Sequence, residues 1–192
     1  RYRGASGFPV YPGYAAVFAE EKTGDLYFCE GEHQGRQNVL RERACCLPEG
    51  MNPETALFAR FIKIFMDVVS LNNIADIKMG KKIRIMGRGL LAHVFRKMLE
   101  CFKIEEAGED AAVILECEGK EENVLKAGKY STVYLVGAYW FPKCDQINVR
   151  AAEILDHIFR NRITVKSGWE TSDFEYSCPL RILAEGETNM GD

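Results

Sequence analysis

Apolar residues follow two alternating patterns along the middle of the chain. One has helical spacing, as at Leu57, Phe61 and Phe65, and the other is a short run rich in β-branched residues, as at 82–86. The patterns predict helices over 54–70, 89–103, 120–127 and 147–160, and strands over 82–86, 111–116, 131–137 and 162–166. Such alternation predicts an α/β fold with a mostly parallel sheet and crossover helices.

Both ends of the chain differ from this middle part. Residues 1–50 are punctuated by Gly and Pro, and two short apolar runs there, 15–19 and 26–29, predict strands on either side of a turn at 23–25. Asn52 is the predicted N-cap of the first helix, with Pro53 as its first residue. We therefore expect a β segment over 1–50, a domain over 51–169 and a polar, mobile tail over 170–192.

Composition narrows the class of protein. The 192 residues are 47% hydrophobic and 28% charged, which is typical of a globular protein, and the net charge of -3 argues against nucleic-acid binding. The longest apolar stretch, 56–69, contains three charged residues and is too short to cross a membrane. Seven cysteines without a Cys-x-x-Cys pair argue against a disulfide framework and against a zinc ribbon. They favour a reducing, cytoplasmic location.

The strongest candidate for chemistry is a glycine motif after the strand at 82–86. Its sequence, Gly87-Arg88-Gly89-Leu90-Leu91-Ala92, has the pattern Gly-x-Gly-x-x-Ala and opens a predicted helix. Gly87 would allow a tight turn, Gly89 would let a pyrophosphate approach the backbone, and Ala92 would let the helix pack closely. The helix N-terminus would offer N–H groups to phosphate. A close-packed strand–helix turn without a ligand is the alternative interpretation.

Residues 9–17, 47–51 and 80–89 form motifs whose order resembles that of the medium-chain dehydrogenase/reductase family. Residues 9–17 resemble the family's "yPGyE-vG" stretch, and 47–51 resemble the "lPeGl" start of its coenzyme domain. Residues 80–89 resemble its "G-x-x-V-x-V-x-G-x-G" motif. Residues 137–139 and 163–169 resemble the last strands of the bacteriochlorophyllide dehydrogenase-like branch. The chain thus resembles a shortened member of this family.

The resemblance implies a fold, a cofactor and a set of site residues. It implies a reduced Rossmann-like parallel sheet of about four strands, preceded by a remnant GroES-like β segment, and binding of NAD or NADP. Tyr14 and Tyr139 would be the catalytic residues. The residues implied in coenzyme binding are Gly87, Gly89, Leu90, Leu91, Ala92, Glu116, Gly137 and Ala138.

The chain also departs from the family pattern. The segment between Cys101 and Ala111 is too short for the second and third sheet strands, because a parallel crossover alone needs about a dozen residues. The acidic residue that binds the ribose would follow the second strand. Glu105 or Glu106 could substitute for it, or both could belong to a solvated acidic loop. Tyr14-Ala15 replaces the family's His-Glu zinc ligands, so no metal is expected.

Two functions are consistent with these features. The first is a zinc-independent NAD(P)-linked oxidoreductase that transfers hydride to or from a small-molecule substrate. The alternative is a degenerate dehydrogenase homologue that acts as a binding or assembly module without coenzyme turnover. The family pattern also implies a homodimer that forms through the edge strand 162–167.

Overall fold

The structure is a computed structural model that describes residues 15–30, 38–71, 82–136, 150–167 and 175–186. The chain forms two compact units. The first contains the chain up to Lys63 and again from Thr171, and the second runs from Ile64 to Glu170.

The first unit contains a three-stranded antiparallel sheet. Its strands are β1 (Ala16–Ala19), β2 (Leu26–Cys29) and β3 (Ala44–Cys46), in that spatial order. Gly24 adopts a φ of 77° in the turn between β1 and β2, which confirms the turn predicted at 23–25. β3 was not predicted, because a three-residue strand after a short 3-10 helix (Arg41–Arg43) has almost no periodic pattern.

The helix predicted over 54–70 is divided in two. Helix α1 (Pro53–Ala56) is capped as expected, since the Asn52 side chain accepts a hydrogen bond from the Glu54 N–H at 2.8 Å. Helix α2 (Ala59–Leu71) follows after a short turn. Tight hydrogen bonds between residues three apart, such as Phe58 N–H to Thr55 O, make this turn and interrupt the α-helical pattern.

The second unit contains the predicted four-stranded parallel sheet. Its strands lie in the order β4 (Ile83–Met86), β5 (Val113–Glu116), β6 (Thr132–Leu135) and β7 (Thr164–Ser167). Helix α3 (Leu90–Cys101) connects β4 to β5, a 3-10 helix (Glu121–Lys126) connects β5 to β6, and helix α4 (Arg150–Asn161) precedes β7. The sheet and its helical connections confirm the α/β Rossmann-like prediction.

A buried apolar cluster covers one face of this sheet. It joins Met86, Ile114 and Val133 from three neighbouring strands to Val124 of the 3-10 helix and to Ile158 of α4. Because side chains alternate along a strand, the residues between them point to the opposite face. The 3-10 helix and α4 thus cover this face of the sheet.

Among the described residues, the outer edge of β4 pairs with no full strand. After α3 the chain returns along this edge and forms a single parallel bridge between Glu106 and Ile83. The Ala107 N–H donates to Ile83 O at 2.6 Å. The chain then passes to the other side of β4 and forms β5. One bridging residue therefore lies where a full Rossmann-like sheet would have a second strand.

The segment predicted as a tail contains a helix. Helix α5 (Ser177–Ala184) buries Pro179, Leu180, Ile182 and Leu183 within the first unit. Tyr176 precedes it and packs on Phe28, with 4.6 Å between ring centroids. Burial of this apolar face, which short sequence patterns do not reveal, orders the segment.

Candidate functional site

The glycine turn lies at the carboxyl end of β4, beside the carboxyl end of β5. After β4 the chain passes to the outer edge of the sheet, whereas after β5 it passes to β6 in the opposite direction. Proteins with α/β folds bind ligands where two neighbouring strands diverge in this way. Gly87 and Gly89 have φ values of 119° and 93°, which other residues rarely adopt. A Cβ on Gly89 would meet no atom within 4 Å, so the space beside the N-terminus of α3 is open.

The turn and the following helix have the predicted form. Gly89 is the N-cap of α3, and its carbonyl accepts a hydrogen bond from His93 N–H at 3.0 Å. Ala92 is completely buried, as close helix packing requires, whereas Leu90 is half exposed. The first N–H groups of α3 have no partner within the helix, which is the usual basis of anion binding at such a terminus.

Gly87 is in close contact with a residue from the next strand's loop. A Cβ on Gly87 would lie 2.6 Å from Cγ of Glu118 and 3.3 Å from its backbone nitrogen. Oε1 of Glu118 accepts a hydrogen bond from Arg88 N–H at 3.1 Å, and Oε2 lies 3.2 Å from Nζ of Lys120. The Lys120 ammonium, with the Arg88 N–H and Asn123, lowers the pKa of the Glu118 carboxyl below its usual value.

Glu116 fixes the loop that contains Glu118. Its carboxylate is fully buried at the end of β5. Oε1 accepts hydrogen bonds from Glu118 N–H at 3.0 Å and from Asn123 Nδ2 at 2.9 Å, and Oε2 accepts one from Gly119 N–H at 2.9 Å. Lys120 N–H lies 3.4 Å from Oε1. The structure therefore places this predicted coenzyme-binding residue beneath the loop, where it holds the loop in position.

A polar cavity of about 400 Å³ opens beside the glycine turn. Four of its lining side chains are cationic and Glu118 is its one acidic lining residue among the described residues. The lining residues are Arg84, Ile85, Met86, Gly87, Arg88, Glu118, Lys120, Asn123 and Lys126. The cavity is thus suited to an anionic group.

Side chains cover the outer edge of β4 next to the turn. Glu106 accepts a hydrogen bond from Ile85 N–H at 3.1 Å, and its other oxygen lies 3.0 Å from Nε of Arg96. Arg96 Nη2 donates to Ile85 O at 3.1 Å and to Gly87 O at 3.3 Å. The β4 edge therefore binds the Glu106 carboxylate, while the residue is also exposed to solvent. Glu105 is exposed, as the loop interpretation expects.

The structure brings part of the predicted site together. Gly87, Gly89, Leu90, Leu91 and Ala92 lie in one turn and helix N-terminus, next to the loop that Glu116 holds. The predicted residues Tyr14, Gly137, Ala138 and Tyr139 lie outside the described residues. Sequence patterns did not reveal Glu118, Lys120 or Arg96, since each acts through contacts between distant parts of the chain.

Two kinds of feature are absent from the described residues, which cover 15–30, 38–71, 82–136, 150–167 and 175–186. No group of three His, Cys, Asp or Glu side chains in those ranges is arranged to hold a metal ion. In the same ranges no helix has the length and apolar character needed to cross a membrane.

Several solved structures with a similar fold are dehydrogenases or oxidoreductases. Galactitol-1-phosphate dehydrogenase from Escherichia coli is similar with a TM-score of 0.68 and 15% identity, over 98% of this chain and 77% of that protein. Quinone oxidoreductase from Thermus thermophilus, also solved with NADPH, has a TM-score of 0.55 and 18% identity, over 92% of this chain and 67% of that protein. A short-chain alcohol dehydrogenase from Escherichia coli, complexed with NADH, has a TM-score of 0.52 and 13% identity, over 79% of this chain and 54% of that protein.

These similarities define the class of fold. The chain shares the α/β, Rossmann-like fold of these three proteins, and it spans between about half and three quarters of their length. No protein-family model matches the sequence, and the comparison with curated proteins also finds no match.

Proposed function

We propose that the protein is a zinc-independent, NAD(P)-linked oxidoreductase of the medium-chain dehydrogenase/reductase type that acts on a small-molecule substrate. The glycine turn is the observation that supports this proposal most directly. Gly87 and Gly89, in the turn that follows β4, have positive φ values. The space next to Gly89, at the N-terminus of α3, is open. Two of the proteins with similar folds were solved with NADH or NADPH.

The described residues fit the phosphate part of such a coenzyme. The first N–H groups of α3 and the side chains of Arg88 and Lys120 would hold the pyrophosphate beside the cationic cavity. When bound, NAD or NADP supplies the hydride donor or acceptor. The protein supplies position and electrostatics. We propose Tyr14 and Tyr139 as the residues that contact the substrate.

The adenosine side differs from a complete Rossmann-like domain. The edge of β4 where a second strand would pair is covered by Arg96 and by Glu106. Glu106 is bonded to Ile85 N–H and to Arg96, so it does not serve as a free ribose ligand here. We therefore expect weaker dinucleotide binding than in a complete domain, with phosphate contacts providing most of the affinity. The motifs at 137–139 and 163–169 support a relationship to the bacteriochlorophyllide dehydrogenase-like branch.

A binding titration tests the proposal. NADH and NADPH are titrated while energy transfer from the two tryptophans, Trp140 and Trp169, is followed. We expect a Kd in the micromolar range for at least one coenzyme, and Gly89→Asp should abolish binding. Because Gly89 has a positive φ, Arg88→Glu provides a second variant without that strain and should weaken binding about tenfold or more, equivalent to about 1.4 kcal/mol.

A charge-matched control makes the titration specific. Arg160→Glu changes the same kind of residue at an exposed position on α4, and it should leave the Kd unchanged. An absence of binding of both coenzymes up to millimolar concentration would contradict the proposal. That result would favour the alternative, a binding or assembly module without coenzyme turnover.

We also propose that the chain forms a homodimer through β7. Within the described residues, β7 pairs with β6 on one side only. The helix that precedes this strand, α4, exposes Leu155 and Phe159, with Phe159 85% exposed, and β7 itself exposes Val165. An open strand edge flanked by exposed apolar side chains favours pairing with a second copy.

Light scattering after size-exclusion chromatography tests the dimer. The wild-type chain should have the mass of a dimer, and Leu155→Ser should shift it toward the monomer. Leu40→Ser is the matched control, because Leu40 is similarly exposed but belongs to the first unit. A wild-type monomer at high concentration would contradict this proposal.

A further inference from the structure

The glycine turn already binds a carboxylate of its own chain. Oε1 of Glu118 accepts a hydrogen bond from Arg88 N–H at 3.1 Å, in the turn whose N–H groups would face a phosphate. The missing Cβ of Gly87 makes room for the Glu118 side chain, since a Cβ there would lie 2.6 Å from its Cγ. The close approach that a glycine permits at this turn is thus used by Glu118.

The carboxylate is held from two directions. Lys120 Nζ lies 3.2 Å from the second oxygen of Glu118, so each oxygen has a donor or a cation. The backbone beneath is fixed, because buried Glu116 accepts hydrogen bonds from the N–H groups of Glu118 and Gly119. The Glu118 side chain can therefore turn away only by rotation about its own bonds, while the loop stays in place.

The charges around Glu118 favour an anion at this point. Arg84 of β4, Arg88 of the turn, Lys120 of the loop and Lys126 of the 3-10 helix line the same cavity. Among the described residues that line the cavity, Glu118 is the one acidic side chain, and the buried Glu116 carboxylate lies beneath the loop. If Glu118 leaves, the cavity has four cations and an unpaired Arg88 N–H, which a phosphate group can satisfy.

We propose that Glu118 is an internal anion of the glycine turn, which occupies the phosphate position and must rotate away before a pyrophosphate group binds. The inference rests on the proposed function for the identity of the incoming ligand. Lys120 then exchanges the Glu118 carboxylate for a phosphate oxygen. Glu118 therefore competes with any ligand whose phosphate binds at the glycine turn and lowers the affinity of the protein for that ligand. A ligand must have enough negative charge to displace the Glu118 carboxylate.

The test measures the binding of two probes to the full chain by calorimetry. The probes are ADP-ribose, which has a pyrophosphate but no nicotinamide, and inorganic pyrophosphate. Glu118→Gln should bind both at least tenfold more tightly than the wild type. Glu109→Gln is the matched control, since it removes one negative charge from an exposed position in the same unit and should change neither affinity.

A second measurement uses the wild-type chain and does not depend on a variant. The carboxyl carbon of Glu118 is titrated by carbon-13 NMR with and without pyrophosphate. We expect its pKa to rise when pyrophosphate binds, because the carboxylate loses Arg88 N–H and Lys120 as partners. The amide signal of Arg88 should shift in the same titration.

The outcomes separate this inference from the proposed function. If Glu118→Gln binds pyrophosphate more tightly but neither form binds ADP-ribose, NADH or NADPH, the internal anion is supported and the proposed function is wrong. If the wild type binds NADH or NADPH and Glu118→Gln binds both probes no more tightly, with an unchanged Glu118 pKa, the internal anion is overturned. If neither chain binds any of these probes, both are overturned.

Discussion

The guanidinium of Arg96 binds the carboxylate of Glu106 on the outer edge of β4, with 3.0 Å between Nε and Oε2. Together these two side chains take up the N–H and the carbonyl of Ile85, which a neighbouring strand would otherwise pair. An unpaired strand edge beside a binding site exposes backbone groups to other chains. Within the described part of the chain, the pair thus does for β4 part of what a neighbouring strand would do.

Replacing Arg96 by Ala should destabilise the protein by about 1–3 kcal/mol, because the carbonyls of Ile85 and Gly87 and the carboxylate of Glu106 all lose a donor. Urea unfolding measures this difference. Arg160→Ala is the control, since Arg160 also pairs with a carboxylate, Asp156, but at an exposed helix position. Its cost should be at most about 0.5 kcal/mol. Equal losses in the two variants would contradict a structural role for the Arg96 contacts.

Replacing Gly87 by Ala should cost at least about 2 kcal/mol, because the residue has a φ of 119° and its Cβ would displace Glu118. Gly89→Ala separates the two causes. Gly89 has a φ of 93° with no atom near its missing Cβ, so only the backbone cost of about 1–2 kcal/mol applies. Thermal or urea unfolding of both variants decides the point, and a smaller loss for Gly87→Ala would refute the contact with Glu118.

Replacing Glu116 by Gln should destabilise the protein by about 2–4 kcal/mol. The side chain faces N–H donors from Glu118, Gly119 and Asn123, so an amide NH₂ would leave one of its partners without an acceptor. Asn123→Ala removes only one donor and should cost about 1 kcal/mol. Unfolding in urea compares them. If Glu116→Gln proved as stable as the wild type, Glu116 would not be the anchor of this loop.

Cys117, which lies between Glu116 and Glu118, should be inert toward thiol reagents in the native protein. Burial raises the pKa of its thiol well above the usual range, and Sγ points to Leu115 O. Because the thiolate is the reactive form, iodoacetamide at pH 8 should label exposed Cys46 and leave Cys117 unmodified. Mass spectrometry of the peptides measures both. Similar labelling rates for the two cysteines would show that the loop opens.

The parallel sheet could be predicted because its signals are local. Short β-branched runs and the glycines at 87 and 89 gave the four strands and the turn. Helix α5 was missed, since the polar composition of 170–192 indicated a tail. Burial of Leu180 and Leu183 orders the segment, and proline is tolerated in the first turn of a helix, where Pro179 lies.

The contacts that define the site could not be predicted in the same way. Arg88 and Glu118 are 30 positions apart, and Arg96 and Glu106 meet only because the chain returns along β4 after α3. No periodicity in the sequence encodes such pairs. They follow from the strand order and from the close approach at Gly87, which are properties of the folded sheet.

The most direct test of the account is an amide NMR titration of the full chain with NADPH and, in parallel, with NADH. We predict saturable shifts for at least one coenzyme that are largest at Arg88, Gly89, Leu90 and Gly119, around the glycine turn and the loop that Glu116 holds. Shifts confined to other parts of the chain, or no shifts at millimolar concentration of either coenzyme, would contradict the claim that this turn binds a dinucleotide.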